Sequence, residues 1–235
     1  YSDEDIEAEL ISAGAVWHKL PTQELIERAA KSLKNGYALG WHQGAMEFGP
    51  RALGNRSILA DARNPETQTA LNLKIEFRES FRPFAPVVLS ERAHDWFELK
   101  TESPYMLLVD SVHRSQLRSQ SEPNNVLFER LKTQRSTIPA VTHVDNSARI
   151  QTAHKETNPI LHALLTEYEK QTGVPCLANT SFNVRGEHIV ESPTDAFRCF
   201  MGTDLDALAV GSYWLEKSEQ KPELHRKYHQ LFSLD

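Results

Sequence analysis

Cysteine is scarce in this 235-residue chain, and long apolar runs are missing. The two cysteines, Cys176 and Cys199, stand far apart and in no C-x-x-C or Cys/His spacing, which argues against a disulfide framework and a zinc site. No run approaches the roughly eighteen apolar residues of a membrane span, and the acidic start YSDED is unlike a signal peptide. We therefore expect a soluble, cytoplasmic protein without a membrane partner.

Positive charge is also in deficit, since 26 Lys and Arg face 32 Asp and Glu for a net charge of -6. Proteins that bind nucleic acid through a global electrostatic field are usually basic. Nucleic acid is therefore not an expected partner, and any anion site must be local. The chain lacks a Walker loop, so a phosphate would need another binding device.

The length allows one substantial core, and a single α/β domain over residues 1–235 is the simplest organisation. Apolar periodicity and capping residues predict helices at 2–14, 22–35, 65–77, 91–97, 159–172 and from 192. Strands are predicted at 37–41, 57–60, 85–89, 105–112, 140–144, 148–153, 175–178, 188–190 and 205–214. The polar stretch 114–137 is predicted to cross the surface and to be a candidate lid.

The most informative stretch is residues 47–61, EFGPRALGNRSILAD. Its glycines and proline let the backbone turn sharply, so that Arg51 and Arg56 can be held close to main-chain N–H groups. Such a loop suits a phosphate or a carboxylate. The alternative is a surface turn whose arginines pair with Glu47 or Asp61.

Further cations lie at predicted loop edges and helix ends. Clustered guanidinium groups would be a means of holding ATP phosphates without a Walker loop. The alternative is a set of solvated side chains paired with nearby glutamates. Besides Arg51 and Arg56, the candidate cations are Lys74, Arg78, Arg82 and Arg149.

Two short polar motifs complete the candidates. Ser181 and Asn183 are two residues apart, so both would face one side of an extended segment and could address a phosphate or a carbamoyl group; an ordinary turn after a strand is the alternative. His143 and Asp145 have the spacing of a metal or general-base pair, but such patterns are common, and we predict no metal ligand.

The 47–61 run resembles the signature of the C-terminal domain of the NodU/CmcH/TobZ family of O-carbamoyltransferases. Later blocks of that family recur in order, and the resemblance covers essentially the whole chain. These blocks are FRPFAP at 81–86, PYM at 104–106, HVD at 143–145, ARIQT at 148–152, NTSFN at 179–183 and SPTDA at 192–196.

The resemblance implies a YrdC-like fold, a twisted mixed α/β sheet with flanking helices that encloses a basic cavity. It implies formation of carbamoyl-adenylate from carbamoyl phosphate and ATP with Mg²⁺, and an actin/hexokinase-like N-terminal transferase domain, with its own metal, as a partner outside this chain. The expected catalytic residues are Arg51, Arg82, Arg149, Ser181 and Asn183, and the expected ATP-binding residues are Arg56, Lys74 and Arg78.

One departure from the family pattern reverses a charge. Where the family usually carries Ile-Lys-x-Arg-Glu, this chain has Glu76 in the lysine position, with Lys74 two residues earlier. A non-catalytic ATP- or phosphate-binding module is therefore an alternative, and a YrdC-like RNA-binding module is a second that the net charge disfavours. A homodimer is compatible with the sequence, which reveals neither the acceptor nor the oligomeric state.

Overall fold

The computed structural model describes residues 1–75, 82–119 and 134–225, without the Lys74 side chain. This part of the chain contains six α-helices and nine strands. The helices are α1 (Asp3–Ser12), α2 (Thr22–Lys34), α3 (Thr67–Lys74), α4 (Ala93–Trp96), α5 (Pro159–Thr172) and α6 (Pro193–Met201). The strands are β1 (His18–Lys19), β2 (Leu39–His42), β3 (Arg56–Asp61), β4 (Ala85–Leu89), β5 (Leu108–Ser111), β6 (Ser147–Ala153), β7 (Cys176–Ser181), β8 (Ala207–Val210) and β9 (Tyr213–Glu216).

All nine strands form one mixed sheet in the order β1-β9-β8-β2-β3-β7-β4-β6-β5. β2 and β3 are antiparallel, with Trp41 opposite Ser57, and the loop of residues 43–55 joins them. β4 lies between β7, to which it is antiparallel, and β6, to which it is parallel. The predicted mixed α/β class is confirmed, whereas the YrdC-like assignment remains a prediction.

Helix ends follow local sequence signals. Ser2 and Asp5 form a capping box at α1, and Ser192 and Asp195 form another at α6. α5 ends at Gly173, whose φ of 77° lies in the left-handed region that favours glycine. These three helices agree with the sequence prediction because cap residues act within one turn of the chain.

α2 and α5 pack against each other beside the end of β3. The Tyr168 hydroxyl of α5 donates a 2.7 Å hydrogen bond to the buried Asp61 carboxylate, which also pairs with Arg63 at 2.7 Å. Burial is the main cause of a strongly raised Tyr168 pKa, and the adjacent Asp61 charge adds to it. The Asp61 carboxylate therefore already has two partners, Arg63 and the Tyr168 hydroxyl of α5.

Several predicted strands are wrong. Residues 140–144 form no strand, because Pro139 begins a 3-10 turn over Pro139–Val141 and Asn146 adopts a φ of 66° in the turn before β6. The predicted strand at 148–153 is present as β6, which pairs with β4 and β5. Residues 188–190 are irregular, and the predicted last strand divides into β8 and β9 at Gly211, whose φ is 52°.

The two edges of the sheet differ. At one edge β1 is only two residues long and carries the exposed Lys19. At the other edge Leu108 and Val109 of β5 are 39% and 59% exposed. Within the described ranges no helix combines the length and the apolar character needed to cross a membrane.

Stability should depend on pH through His42, which is 2% exposed and hydrogen-bonded through Nε2 to the Glu191 carbonyl at 2.9 Å. Burial, helped by the neighbouring Arg56 charge, lowers the pKa of His42 to about 4. The unfolded chain therefore binds more protons than the folded chain between about pH 6.5 and pH 4. We expect the free energy of unfolding to fall as pH falls through this window, with His42 contributing on the order of 3 kcal/mol.

Urea unfolding between pH 7 and pH 4 measures this dependence for the wild type and for His42→Gln. The variant should show a weaker pH dependence, whereas the exposed control His94→Gln should match the wild type. An equal pH dependence in His42→Gln would contradict the assignment.

Candidate functional site

The loop of residues 43–55 is closed by its own polar groups. The Glu47 carboxylate accepts hydrogen bonds from the backbone N–H groups of Leu53 at 2.6 Å and Asn55 at 2.8 Å. The Asn55 amide donates back to the Ala45 carbonyl at 2.7 Å. Glu47 thus fixes the loop backbone, and neither Glu47 nor Asp61 forms an ion pair with Arg51.

Close packing against α5 explains one glycine of this loop. Gly54 has a φ of 105°, and a Cβ at this position would lie 2.3 Å from Leu161 Cδ2. A side chain would therefore strain the backbone and collide with the helix. The end of the loop that leads into β3 is thereby held against α5.

Arg51, Arg149 and Ser181, three of the predicted catalytic residues, line one small cavity of about 110 Å³. Arg51 comes from the 43–55 loop, Arg149 from β6, and Ser181 from the end of β7. The other lining residues are Ala52, Pro83, Phe84, Ala85, Met106, Asn179 and Thr180.

Sheet register explains this convergence. β4 lies between β6 and β7, with Ala85 opposite Asn179 and Val87 beside Gln151. Because β4 and β6 are parallel, two residues before the pair Val87 and Gln151 the neighbour of Ala85 is Arg149, on the side away from Asn179. Alternate residues of a strand share a face, so Arg149 lies on the same face as Gln151. The small Ala85 side chain leaves space between the polar groups of the two neighbouring strands.

Arg51 and Arg149 are cations without a carboxylate partner in the described part of the chain. Burial lowers the pKa of Arg149, and the nearby positive charge of Arg51 lowers it further. The Arg149 Nε atom is buried without a hydrogen-bond acceptor among the described residues. A bound anion would satisfy this donor and relieve the repulsion between the two guanidinium groups.

Two buried amides that sequence reasoning missed hold the loop from the sheet side. Asn179 donates through Nδ2 to the Ala52 carbonyl at 3.2 Å and to Gln151 Oε1 at 2.7 Å. Gln151 donates through Nε2 to the Leu53 carbonyl at 2.7 Å. Because both contacts of Asn179 Nδ2 are acceptors, the amide orientation is fixed, and Oδ1 is left buried without a partner.

Met106 is a further residue that sequence reasoning missed. It is buried in the wall of the cavity with a φ of 55°, an uncommon conformation for a residue other than glycine. The PYM block at 104–106 was visible in the sequence, but its lining role depends on this local backbone conformation.

The other predicted site residues do not line the cavity. Arg56 is 1% exposed, and its guanidinium donates to the carbonyls of Gln43, Gly44, Asn55 and Glu191 at 2.9–3.2 Å. These carbonyls occupy donors that were predicted to bind a phosphate. We therefore assign Arg56 a structural function at the base of the loop.

Asn183 and Arg82 are also placed outside the cavity. The chain turns directly after β7, so Asn183 does not share the face of Ser181. The Asn183 side-chain amide instead donates to the carbonyls of Val184 and Glu187 at 3.2 and 2.8 Å. Arg82 precedes the lining residue Pro83, but its side chain is exposed. Arg78, Glu76 and the Lys74 side chain lie outside the described part of the structure, as does most of the predicted lid at 114–137.

Larger cavities elsewhere have a different chemistry. A cavity of about 790 Å³ beside α6 contains Arg198 together with the carboxylates of Glu187, Glu191 and Asp195. A second, of about 400 Å³, contains Glu47, Glu102 and Glu156. The carboxylates in both cavities disfavour binding of an anion. The cavity lined by Arg51 and Arg149, called the arginine cavity below, is therefore distinguished as an anion site by its charge and not by its volume.

The profile of the family described as Carbamoyltransferase C-terminus matches residues 30–217. The chain therefore belongs to the carbamoyltransferase family and corresponds to its C-terminal region.

Named relatives agree with this assignment. An uncharacterized protein of Synechocystis sp. is 49% identical over 100% of this chain and 39% of its own length. The nodulation protein NolNO of Sinorhizobium fredii is 42% identical over 94% of this chain and 30% of its own length. The 3'-hydroxymethylcephem-O-carbamoyltransferase of Amycolatopsis lactamdurans is 35% identical over 87% of this chain and 35% of its own length. The chain thus spans about a third of the length of these curated relatives.

Replacing Asn179 with Ala should disturb the site through the loop. It removes two hydrogen bonds and leaves the Ala52 carbonyl and Gln151 Oε1 without this donor, at a cost of roughly 1–3 kcal/mol in the free energy of unfolding. We expect weaker binding of inorganic phosphate because Arg51 is no longer held in place. Calorimetric titration of the wild type, Asn179→Ala, Arg51→Ala and the double variant measures this coupling.

If Asn179 acts by positioning Arg51, its replacement should weaken phosphate binding much less in the Arg51→Ala background. Fully additive losses would contradict the positioning role.

Proposed function

We propose that this chain binds ATP and carbamoyl phosphate and forms carbamoyl-adenylate, the first half-reaction of an O-carbamoyltransferase. The observation that carries the proposal is the convergence of Arg51 and Arg149, both without an ion-pair partner among the described residues, with Ser181 on one small cavity. Membership of the carbamoyltransferase family and the name of the Amycolatopsis lactamdurans relative support carbamoyl chemistry.

The volume of the cavity limits what it holds. About 110 Å³ is well below the roughly 300 Å³ at which pockets begin to enclose a drug-sized ligand. The cavity therefore takes only the reacting phosphoryl and carbamoyl groups, while the adenosine part of ATP lies outside it.

The lining residues match the charge changes of the proposed reaction. Carbamate released from carbamoyl phosphate attacks the α-phosphorus of ATP, a new bond forms between its oxygen and phosphorus, and pyrophosphate leaves with the electrons of the broken bond. Arg51 and Arg149 offset the negative charge that develops on the phosphoryl oxygens. The Ser181 hydroxyl and the unpartnered Asn179 Oδ1 orient the carbamoyl group through its carbonyl and amide.

Mg²⁺ would come to this site with the nucleotide. Among the described residues no group of three or more His, Cys, Asp or Glu side chains could hold a metal ion. We therefore propose that the metal is carried on the phosphates of ATP, where it supplies additional charge neutralisation.

Further elements of the proposal lie beyond the described site. A YrdC-like basic cavity would be completed by Arg82, Lys74 and Arg78, whose side chains are exposed or outside the described residues. Transfer to an acceptor would need an actin/hexokinase-like transferase domain. The relatives are about three times as long as the matched region and so have room for such a domain.

Replacing Arg149 with Met tests the cavity. It removes a charged donor, and such hydrogen bonds are worth about 1.5–3 kcal/mol, so carbamoyl phosphate should bind roughly 10- to 100-fold more weakly. Binding is measured by calorimetry. Product formation is measured as pyrophosphate together with a carbamoyl-adenylate mass from ATP, Mg²⁺ and carbamoyl phosphate.

The matched control is Arg92→Met, because Arg92 pairs with Asp95 and Glu169 on the surface. This variant should bind and react like the wild type. Unchanged affinity in both Arg149→Met and Arg51→Met would show that the site has been placed wrongly.

One sequence feature favours a second function, a non-catalytic ATP- or phosphate-binding module. Glu76 stands where the family usually has a lysine, so a charge that would assist adenylation is reversed. Binding by Arg51 and Arg149 would survive this change, while adenylation would be lost.

Glu76→Lys distinguishes the two functions. If the chain is a catalyst that tolerates Glu76, the wild type forms pyrophosphate and the variant changes the rate only moderately. If the wild type binds ATP without forming pyrophosphate and Glu76→Lys gains the reaction, the chain is a binding module. Glu66→Lys, a charge reversal at an exposed position before α3, is the control for net charge.

A further inference from the structure

His143 lies in a tight turn that leads into β6. Its backbone N–H donates to the Ser147 carbonyl at 2.8 Å, and Asn146 donates to the His143 carbonyl at 3.0 Å. The side chain is half-buried and lines a cavity of about 300 Å³ together with Arg135, Gln68 and Pro83. Pro83 also lines the arginine cavity, so the two cavities are neighbours.

Hydrogen bonds fix the tautomer of His143. Asp145 Oδ1 accepts from the Ser147 backbone N–H at 3.0 Å and from the Ser147 hydroxyl at 2.7 Å. The Ser147 proton is thereby used, so Ser147 Oγ can only accept from His143 Nδ1, which lies 3.2 Å away. Nδ1 therefore carries the imidazole proton, and Nε2 is left with a lone pair that can take a proton.

The same contact places the imidazole beside the arginine cavity. Ser147 and Arg149 are two residues apart on β6 and share one face, with a separation along the strand of roughly 7 Å. His143 contacts the Ser147 side chain on that face. Its ring therefore neighbours the Arg149 guanidinium group, whose charge also acts on His143.

Electrostatics keep this imidazole neutral. Burial lowers the pKa of His143. The Asp145 carboxylate raises this pKa, and the positive charge of Arg149 lowers it. Arg135 lines the same cavity and donates to the Val144 carbonyl at 3.1 Å. At neutral pH the group is a free base, as a proton acceptor must be.

We propose that His143 is the general base that activates water for the cleavage of carbamoyl phosphate into carbamate and phosphate. This inference rests on the proposed function. It assigns to His143 the step that must supply carbamate before adenylation, a step that Arg51, Arg149 and Ser181 cannot perform because none of them is a base at neutral pH.

In this step the water oxygen bonds to the carbonyl carbon while His143 Nε2 takes one water proton. The bond between that carbon and the phosphate oxygen breaks, and its electron pair leaves with the phosphate. The imidazolium returns its proton to the leaving phosphate, and the carbamic acid loses a proton to solvent to give carbamate. Water is the only co-reactant.

The test separates cleavage from adenylation in the full chain. One assay measures phosphate released from carbamoyl phosphate in the presence of MgATP. The other supplies ammonium carbamate with MgATP and measures pyrophosphate, which bypasses the cleavage step. In His143→Gln we expect phosphate release to fall about 100-fold or more, while pyrophosphate formation from carbamate stays within about twofold of the wild type.

The exposed His94→Gln is the matched control and should behave like the wild type in both assays. The wild-type rate of phosphate release should fall as acid protonates His143, and His143→Gln should lack this dependence. Ser147→Ala serves as a second variant in case His143→Gln does not fold. It keeps the imidazole but removes its hydrogen bond to Ser147, so phosphate release should fall while pyrophosphate formation from carbamate stays unchanged.

Unchanged phosphate release in His143→Gln, or an equal loss in both assays, would overturn the inference. A wild-type chain that makes no pyrophosphate in either assay would instead overturn the proposed function. The two failures are therefore distinguishable.

Discussion

The hydrogen bonds that hold the 43–55 loop from two sides are the constraint on which the site depends. Glu47 binds backbone N–H groups of the loop, while Asn179 and Gln151 bind its carbonyls. A loop without secondary structure would otherwise be free to carry Arg51 away from Arg149, since like charges repel. The carboxylate and the amides offset this repulsion by satisfying buried backbone groups that would be costly to leave unpaired.

The sheet supplies the second half of the arrangement. β4 separates β6 from β7, and its Ala85 leaves space for groups from both neighbours. Polar residues of β6 and β7, the two strands that flank β4, thus lie on either side of the small Ala85 side chain. Asn179 connects the loop to the sheet within the site, because it lines the cavity and also donates to the Ala52 carbonyl.

The sequence was most informative where local chemistry decides the outcome. The capped helices could be predicted because caps are local signals, whereas the catalytic roles of Arg51, Arg149 and Ser181 remain predictions, which their shared cavity supports. Arg56 was misinterpreted because nothing local shows that its guanidinium is bound by four carbonyls. Asn179 and Gln151 were missed because their contact depends on a register between strands that are distant in sequence.

The asymmetry of the sheet edges has a consequence for assembly. β1 is too short to act as a template and carries a lysine, a common protection against strand addition. β5 instead presents the exposed Leu108 and Val109, while its other end is covered, since Ser111 accepts a backbone hydrogen bond from Glu98 at 2.9 Å and Phe97 bridges to the adjacent Val112. Among the described residues, the stretch of β5 at Leu108 and Val109 is therefore the part of the sheet edge least protected against strand addition, and it runs beside Arg149.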